Sequence, residues 1–215
     1  MKYWPLILVL LGACRGGDKG TTPVSPHNPT PYALDVPAGF PIPEIPADNP
    51  LTIEGIELGR LLFADPILSV DSTVACASCH LRESAFADAR RFSKGVNGLT
   101  SRNSMPLFNL LWSPSFFWDG RSASLEDQAI HPVQNPIEMG EDWSTVTAKL
   151  TRHPTYPRLF AQAFGANKPI GQKLAVQAIA QFERPLVSAD TKYDRWLAGT
   201  EEFTPEEERG FLLFH

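Results

Sequence analysis

The sequence predicts an all-α, loop-rich domain, and three observations predict it. From Asn49 onward the apolar residues recur at helical rather than alternating spacing. Capping signals open and close most of those runs. Between them lie two long stretches, 63–74 and 86–121, with no sustained period. Loops of that length in a compact domain are usually functional or wrapped around something. A helical shell with so much irregular chain needs apolar surface from outside itself.

The elements follow in order. Asn49-Pro50 offers a cap and a first-turn proline for a helix carrying Ile53, Ile56, Leu61 and Leu62. Ser124, with Asp127 three residues on, resembles a capping box that opens a short helix through Ile130. Asp142 or Ser144 starts another, carrying Val146 and Leu150 and stopped by Pro154. A helix over 157–164 is closed by Gly165. The clearest case is 173–182, where Leu174, Ala175, Ala178, Ile179 and Phe182 form one apolar stripe. A helix over 190–197 follows, closed by Gly199. Thr204-Pro205-Glu206-Glu207 then supplies a cap, a first-turn proline and a capping-box glutamate. The amphipathic helix it opens breaks off at His215 and reads as the start of a second domain over 201–215, after a first domain over 51–200.

The amino terminus is a different material. Lys2, an apolar run from Leu6 to Leu11 and the small residues Gly12 and Ala13 make a secretory leader over 1–13. That run is far below the ~20 residues a membrane span needs. Leu11-Gly12-Ala13-Cys14 resembles a bacterial lipobox, which implies cleavage before Cys14, lipidation of its sulfur and anchorage on the periplasmic side of a membrane; an ordinary signal peptide is the competing reading. Nine prolines between Pro23 and Pro50 make 14–50 a semi-rigid tether, whose part over 32–46 has enough apolar residues to lie against the domain. The chain of 215 residues carries a net charge of −5, and loss of Lys2 makes it one unit more acidic. That argues against a nucleic-acid partner, which calls for a clustered basic surface. The longest basic cluster, Arg90-Arg91 with Lys94, is short and fits a solvated loop.

Cys76-Ala77-Ser78-Cys79-His80 carries the chemistry. In a Cys-x-x-Cys-His motif both thiols add to the vinyl groups of a haem and the histidine binds the iron. One helical turn puts both sulfurs on one side and the imidazole beneath, and Asp71 or Ser72 can cap that turn. A zinc site needs further ligands, often a second cysteine pair, which the mature chain lacks. A thioredoxin-like pair needs a βαβ pattern that is absent here, and a disulfide across two residues is strained. The fold class is therefore a c-type cytochrome domain wrapped around one covalent haem c.

Further segments flank this motif. They are Leu58-Gly59-Arg60, Leu62-Phe63, Asp65-Pro66, Arg102-Asn103, 117–121 (Phe-Trp-Asp-Gly-Arg), 124–129 and Asn135-Pro136-Ile137-Glu138-Met139-Gly140. In this order they resemble the bacterial di-haem cytochrome c peroxidase and MauG-like family, from residue 51 to the C-terminus, the family's first haem domain. The resemblance implies two c-type haem domains, hydrogen peroxide as oxidant, and electrons drawn from a small redox protein through the second haem, or a protein substrate in the MauG-like branch. A second Cys-x-x-Cys-His is absent from this sequence.

The resemblance also assigns roles to Trp118, Gln128 and Glu138, spaced by tens. Glu138 becomes the acid–base carboxylate of peroxide cleavage, Gln128 a hydrogen-bond donor to the bound oxidant, and Trp118 an oxidisable indole between the two haems. Asn103 matches a ligand of a calcium ion held between the domains, a suitable hard oxygen donor. Each has a bland reading: a solvated carboxylate, a solvent-facing amide, core aromatic packing. Arg60 and Arg121 suit haem propionates or ordinary ion pairs equally. Classical members carry a resting-state histidine ligand in the loop that here spans 86–102, and 93–104 contains no histidine, so the haem is expected to be open on its distal side. The alternative is a non-catalytic electron-transfer cytochrome, for which Met105 and Met139 are the available sixth ligands. A haem-bearing sensor or binding module has no specific residue in its favour.

Overall fold

The computed structural model describes residues 27–214, so the leader, Cys14 and His215 lie outside the described residues. The described chain is mostly helical, with a single two-stranded hairpin and four short 3-10 turns.

Helix α1 (Ile53–Ala64) starts at Thr52, whose hydroxyl accepts a hydrogen bond from the Gly55 amide. The start expected at Asn49-Pro50 is three residues early, and the reason is tertiary. Asn49 is buried, its amide donating to Glu126 at 2.6 Å and to the Gln177 carbonyl at 3.1 Å, so its side chain is committed elsewhere. Hairpin strands β1 (Lys94–Gly95) and β2 (Gly98–Leu99) lie in the long loop region and had no signal in the apolar spacing.

Helix α2 (Leu125–Gln134) is capped by Ser124 as the sequence suggests, but it runs four residues past Ile130, through Pro132. Burial of Ala129 and Val133 holds the last turn on the core, while Pro132 has no N–H to give the Gln128 carbonyl. Asp142 caps α3 (Trp143–Arg152), accepting from the Ser144 and Thr145 amides. Helix α4 (Tyr156–Phe164) starts one residue before Pro157 and ends on Gly165, at φ +97°.

Helix α5 (Gln172–Glu183) departs most from expectation. It is buried on nearly every side from Leu174 to Gln181, not along one stripe. Gln177 and Gln181 bond the segment 48–52, so their polar side chains are satisfied inside the core. The α1–α5 contact is close enough that a Cβ at Gly59 would lie 1.9 Å from the Ala178 carbonyl oxygen. Around this pair Leu58, Leu62, Val146, Leu150 and Phe160 close the core.

Helix α6 (Lys192–Leu197) opens on a Thr191–Asp194 capping box, one residue after the expected Asp190, and α7 (Pro205–Phe214) follows. Trp196 stacks on Phe203 of the connecting segment at 4.5 Å and meets Phe211 of α7 at 5.0 Å, tying the two helices together. Near the amino terminus, Tyr32 donates its amide to the Leu51 carbonyl, and the Trp112 indole donates to Pro41 at 2.7 Å. The later part of the proline-rich stretch thus lies on the domain. No helix among the described residues is long and apolar enough to cross a membrane.

Candidate active site

The Cys-x-x-Cys-His segment folds as a 3-10 turn (Cys76–Ser78), with the Cys79 and His80 amides both donating to the Cys76 carbonyl. Neither Asp71 nor Ser72 caps it. Asp71 instead accepts from the Thr73 amide and hydroxyl, and Ser72 is left-handed at φ 55°. Ser78 closes the turn by accepting from the Ala75 amide. Ser104 donates to the Cys79 carbonyl at 2.8 Å, and Ser93 bonds Ser104, which anchors the second cysteine.

His80 is held by its other nitrogen. Nδ1 lies 2.7 Å from the Phe86 carbonyl, which can only accept, so Nδ1 carries the proton and Nε2 keeps its lone pair. Ala85 and Phe86 are both left-handed, at φ 54° and 58°, and this pair aims that carbonyl at the ring. Such backbone costs about 1–3 kcal/mol per residue and persists only where the surroundings enforce it. Burial pushes the imidazole pKa down, with the Phe86 and Met105 backbones pulling the other way. Both thiols are free. Burial, then the Glu183 charge, pushes Cys76 up to about 12. No three His, Cys, Asp or Glu residues gather as a metal site among the described residues, which leaves the zinc reading without a ligand set.

One cavity of about 380 Å³ brings the predicted residues together. Cys76, Cys79, His80, Trp118, Gln128 and Glu138 all line it, as does Asn103. Its wall includes Phe63, Leu107 and Ile179, so an apolar macrocycle would meet apolar surface, both thiols and a lone-pair nitrogen in one space. The residues present therefore fit a covalent haem. His80 is the only histidine on that wall among the described residues. Met105 and Met139 also line it. Met139 is buried in the core.

Glu138 is half-buried, and burial raises its pKa above the usual carboxylate value while Asn135 and Arg121 pull it down. The Asn135 amide donates to Glu138 Oε1 at 2.8 Å. The tip of the β1–β2 hairpin grips this segment from outside. Val96 donates its amide to the Glu138 carbonyl, and Asn97 binds the Ile137 and Pro136 carbonyls. Gly95 makes that approach possible, because a Cβ there would sit 2.0 Å from the Ile137 oxygen. Sequence reasoning missed this hairpin; Gly95 and Gly98 flanking Val96-Asn97 were its only signal.

Trp118 is 61% exposed, with its indole donating to the Asn103 carbonyl at 2.9 Å, so it is not core packing. The Asn103 amide nitrogen binds the Asp88 and Arg90 carbonyls, which turns its side chain by the nitrogen and commits only that end. Arg121 stacks 3.4 Å over the Phe117 ring and, with Arg102, flanks Asp119 at the cavity wall. Arg60 does not line the cavity. It pairs with Glu57 on the exposed face of α1, which removes it as a propionate partner. Sequence reasoning also passed over Glu183, a buried carboxylate on the same wall whose Oε2 has no hydrogen-bond partner.

A family model described as "Di-haem cytochrome c peroxidase" matches residues 53–202. The methylamine utilization protein MauG of Methylorubrum extorquens is 40% identical over 171 residues, covering 79% of this chain and 48% of that protein. The cytochrome c peroxidase Ccp of Escherichia coli is 37% identical over 177 residues, covering 81% of this chain and 38% of that protein. Among solved structures, a MauG-like protein associated with microbial copper homeostasis superposes with a TM-score of 0.77 at 36% identity, covering 85% of this chain and 55% of that one. The chain thus spans about half the length, or less, of the curated relatives it matches. On the family match, these identities and the shared helical fold, the chain belongs to the di-haem cytochrome c peroxidase family.

Proposed function

We propose that this chain forms the haem domain in which a di-haem enzyme of the periplasmic face reduces hydrogen peroxide. The observation that carries the reading is the convergence of Cys76, Cys79 and His80 with Gln128 and Glu138 on one cavity wall. Cys76 and Cys79 would hold the haem by thioether bonds, and His80 Nε2 would bind its iron. When bound, the haem supplies an iron that binds peroxide and passes the electrons that break its O–O bond.

The protein's own groups do the rest. Glu138, as carboxylate, takes the proton from the inner peroxide oxygen and returns it to the outer one, making water the leaving group. Its raised pKa suits both halves of that transfer, because it binds the proton firmly enough to take it and weakly enough to give it back. Gln128 cannot titrate and serves as a fixed hydrogen-bond donor to the oxidant. Trp118, exposed on the cavity wall, would relay electrons from outside the domain, from a small redox protein through a second haem or from a protein substrate. Asn103, with its carboxamide oxygen still available, is the proposed calcium contact on the same wall.

The test is stopped-flow absorbance of the haem band after mixing with peroxide. Glu138→Gln keeps size and hydrogen bonding but cannot carry the proton, and the first step should slow by ~10²–10⁴-fold. The wild-type rate should rise with pH through the raised carboxyl pKa, because only the ionised form accepts a proton; that rise should vanish in the variant. Equal rates in the two proteins would remove the carboxylate from the mechanism. A six-coordinate, low-spin resting spectrum would favour the electron-transfer reading, with Met105 or Met139 as the closing ligand.

Export and lipid anchorage through Cys14 belong to the same proposal, since two acyl chains hold a protein on a membrane where one does not. Cys14→Ser should leave the membrane fraction. If it still pellets with membranes, the anchor lies elsewhere.

A further inference from the structure

Glu183 is the last residue of α5 and stands on the cavity wall with Cys76, at the edge where the first thioether bond would form. It is 4% exposed, and its Oε2 has no partner. The neighbouring cation gives it no hydrogen bond. Arg184 sends one nitrogen to both oxygens of Glu126, at 2.7 and 2.9 Å, and its other terminal nitrogen is unpaired. A bare carboxylate so placed is costly, and a neutral acid is the cheaper state.

We propose that Glu183 is a redox-linked proton site, taking up a proton when the haem in this cavity gains an electron and releasing it when that electron is lost. The proposal rests on Cys76, Cys79 and His80 holding a haem. The step is balanced. One electron enters the iron from a one-electron donor and one proton enters the Glu183 carboxylate from solvent; oxidation returns both. The coupling is electrostatic. The iron centre is one unit more positive when oxidised, and a carboxylate sharing its low-dielectric cavity stabilises that state.

The surrounding groups leave the titration to Glu183 itself. From α2, Glu126 raises its pKa; from its own strand of chain, Arg184 lowers it; burial dominates both and holds it at about 8. The haem turn presents Cys76, whose thiol is consumed by attachment, and Glu138 lies on the same cavity wall. From α1 comes Phe63, which is apolar. A carboxyl poised there would make the haem harder to reduce in alkaline medium and easier in neutral medium. In a di-haem enzyme this would couple electron entry at this haem to the arrival of a proton, which peroxide reduction also consumes.

The experiment is a spectroelectrochemical titration of the haem-loaded full chain from about pH 6 to about pH 10. In wild type the reduction equilibrium should shift by up to about tenfold per pH unit through the window around the carboxyl pKa. In Glu183→Gln it should be flat through that window, at the high-potential end. The same slope in both proteins would overturn the proposal. If Glu183→Gln does not fold, the wild type decides by infrared difference spectroscopy. A carboxylic-acid carbonyl band should appear on reduction, shift with ¹³C-labelled glutamate and persist in Glu138→Gln. Absence of that band would overturn the proposal. A mass without covalent haem would overturn the haem reading as well, which separates the two failures.

Discussion

The helical frame and the loop wall of the cavity are held together by different physics. In the frame, α1, α3, α4 and α5 meet through Leu58, Leu62, Val146, Leu150, Phe160, Ala178 and Ile179, all almost completely buried. In the wall, 65–124, the buried apolar residues are Leu68, Ala75 and Leu107, alongside buried Ser69, Asp88, Ser93 and Ser122. Side-chain hydrogen bonds take over there. Ser69 accepts from the Thr73 and Val74 amides, Ser104 holds Cys79, and Asp88 binds the Arg90 guanidinium. All five left-handed non-glycine residues of the described chain, Ser72, Ala85, Phe86, Asn109 and Phe117, lie in the wall. A frame of this kind supports itself, whereas the wall keeps strained backbone around a space and needs that space filled.

The sharpest way to break this contrast is to remove the filling. In a Cys76→Ala/Cys79→Ala protein, covalent haem should be lost completely, as read by the mass of the denatured chain. Hydrogen exchange should then accelerate across 69–119 while α1 and α5 keep their protection. Equal loss of protection in both regions would mean that the frame depends on the haem too. The converse variant is Leu62→Ala. Its side chain is fully buried, and truncation should cost about 2–5 kcal/mol. A lower unfolding temperature with haem stoichiometry unchanged is the expected result, because Leu62 belongs to the core cluster and does not line the cavity.

The same contrast explains what the sequence made legible. Helices α2, α3, α4 and α5 were readable because Ser124, Asp142 and Gly165 mark their ends and their apolar spacing is helical. The α1 start was misplaced because the tertiary bonds of Asn49 outweigh its local capping preference. The proposed attachment residues Cys76, Cys79 and His80 were legible because the thioether bonds proposed there would demand a fixed spacing. Glu138, Gln128, Trp118 and Asn103 could be picked out only through resemblance, since a lone carboxylate or amide in a loop carries no period. Glu183 stayed invisible because Glu183-Arg184 at a helix end reads as a surface ion pair, while the structure gives the arginine to Glu126. The β1–β2 hairpin was missed because two-residue strands are too short to alternate.

The smallest effect expected is the one that ties the wall to the chemistry. Gly95 has ordinary negative φ, so alanine is allowed there by its backbone, and the whole consequence is steric. The added Cβ would meet the Ile137 oxygen at 2.0 Å and the Glu138 Cα at 2.7 Å, both backbone atoms that cannot rotate away. The hairpin must retreat, loosening the Val96 and Asn97 bonds that fix the Glu138 segment. Overpacking of this kind costs about 1–3 kcal/mol, less than the Leu62 cavity at its upper range. Because the atoms nearest the added Cβ belong to Ile137 and Glu138, and the hairpin's tie to the attachment turn is the weak Cys79 Sγ contact with the Lys94 carbonyl at 3.7 Å, Gly95→Ala should keep one haem per chain and an unchanged ferrous spectrum. Its reaction with peroxide should slow, and the rise of rate with pH should move, because Glu138 would lose the burial that raises its pKa. Measured beside Glu138→Gln, the double variant Gly95→Ala/Glu138→Gln should be no slower than Glu138→Gln alone. An additive loss would show that the hairpin acts on the site through something other than the carboxylate.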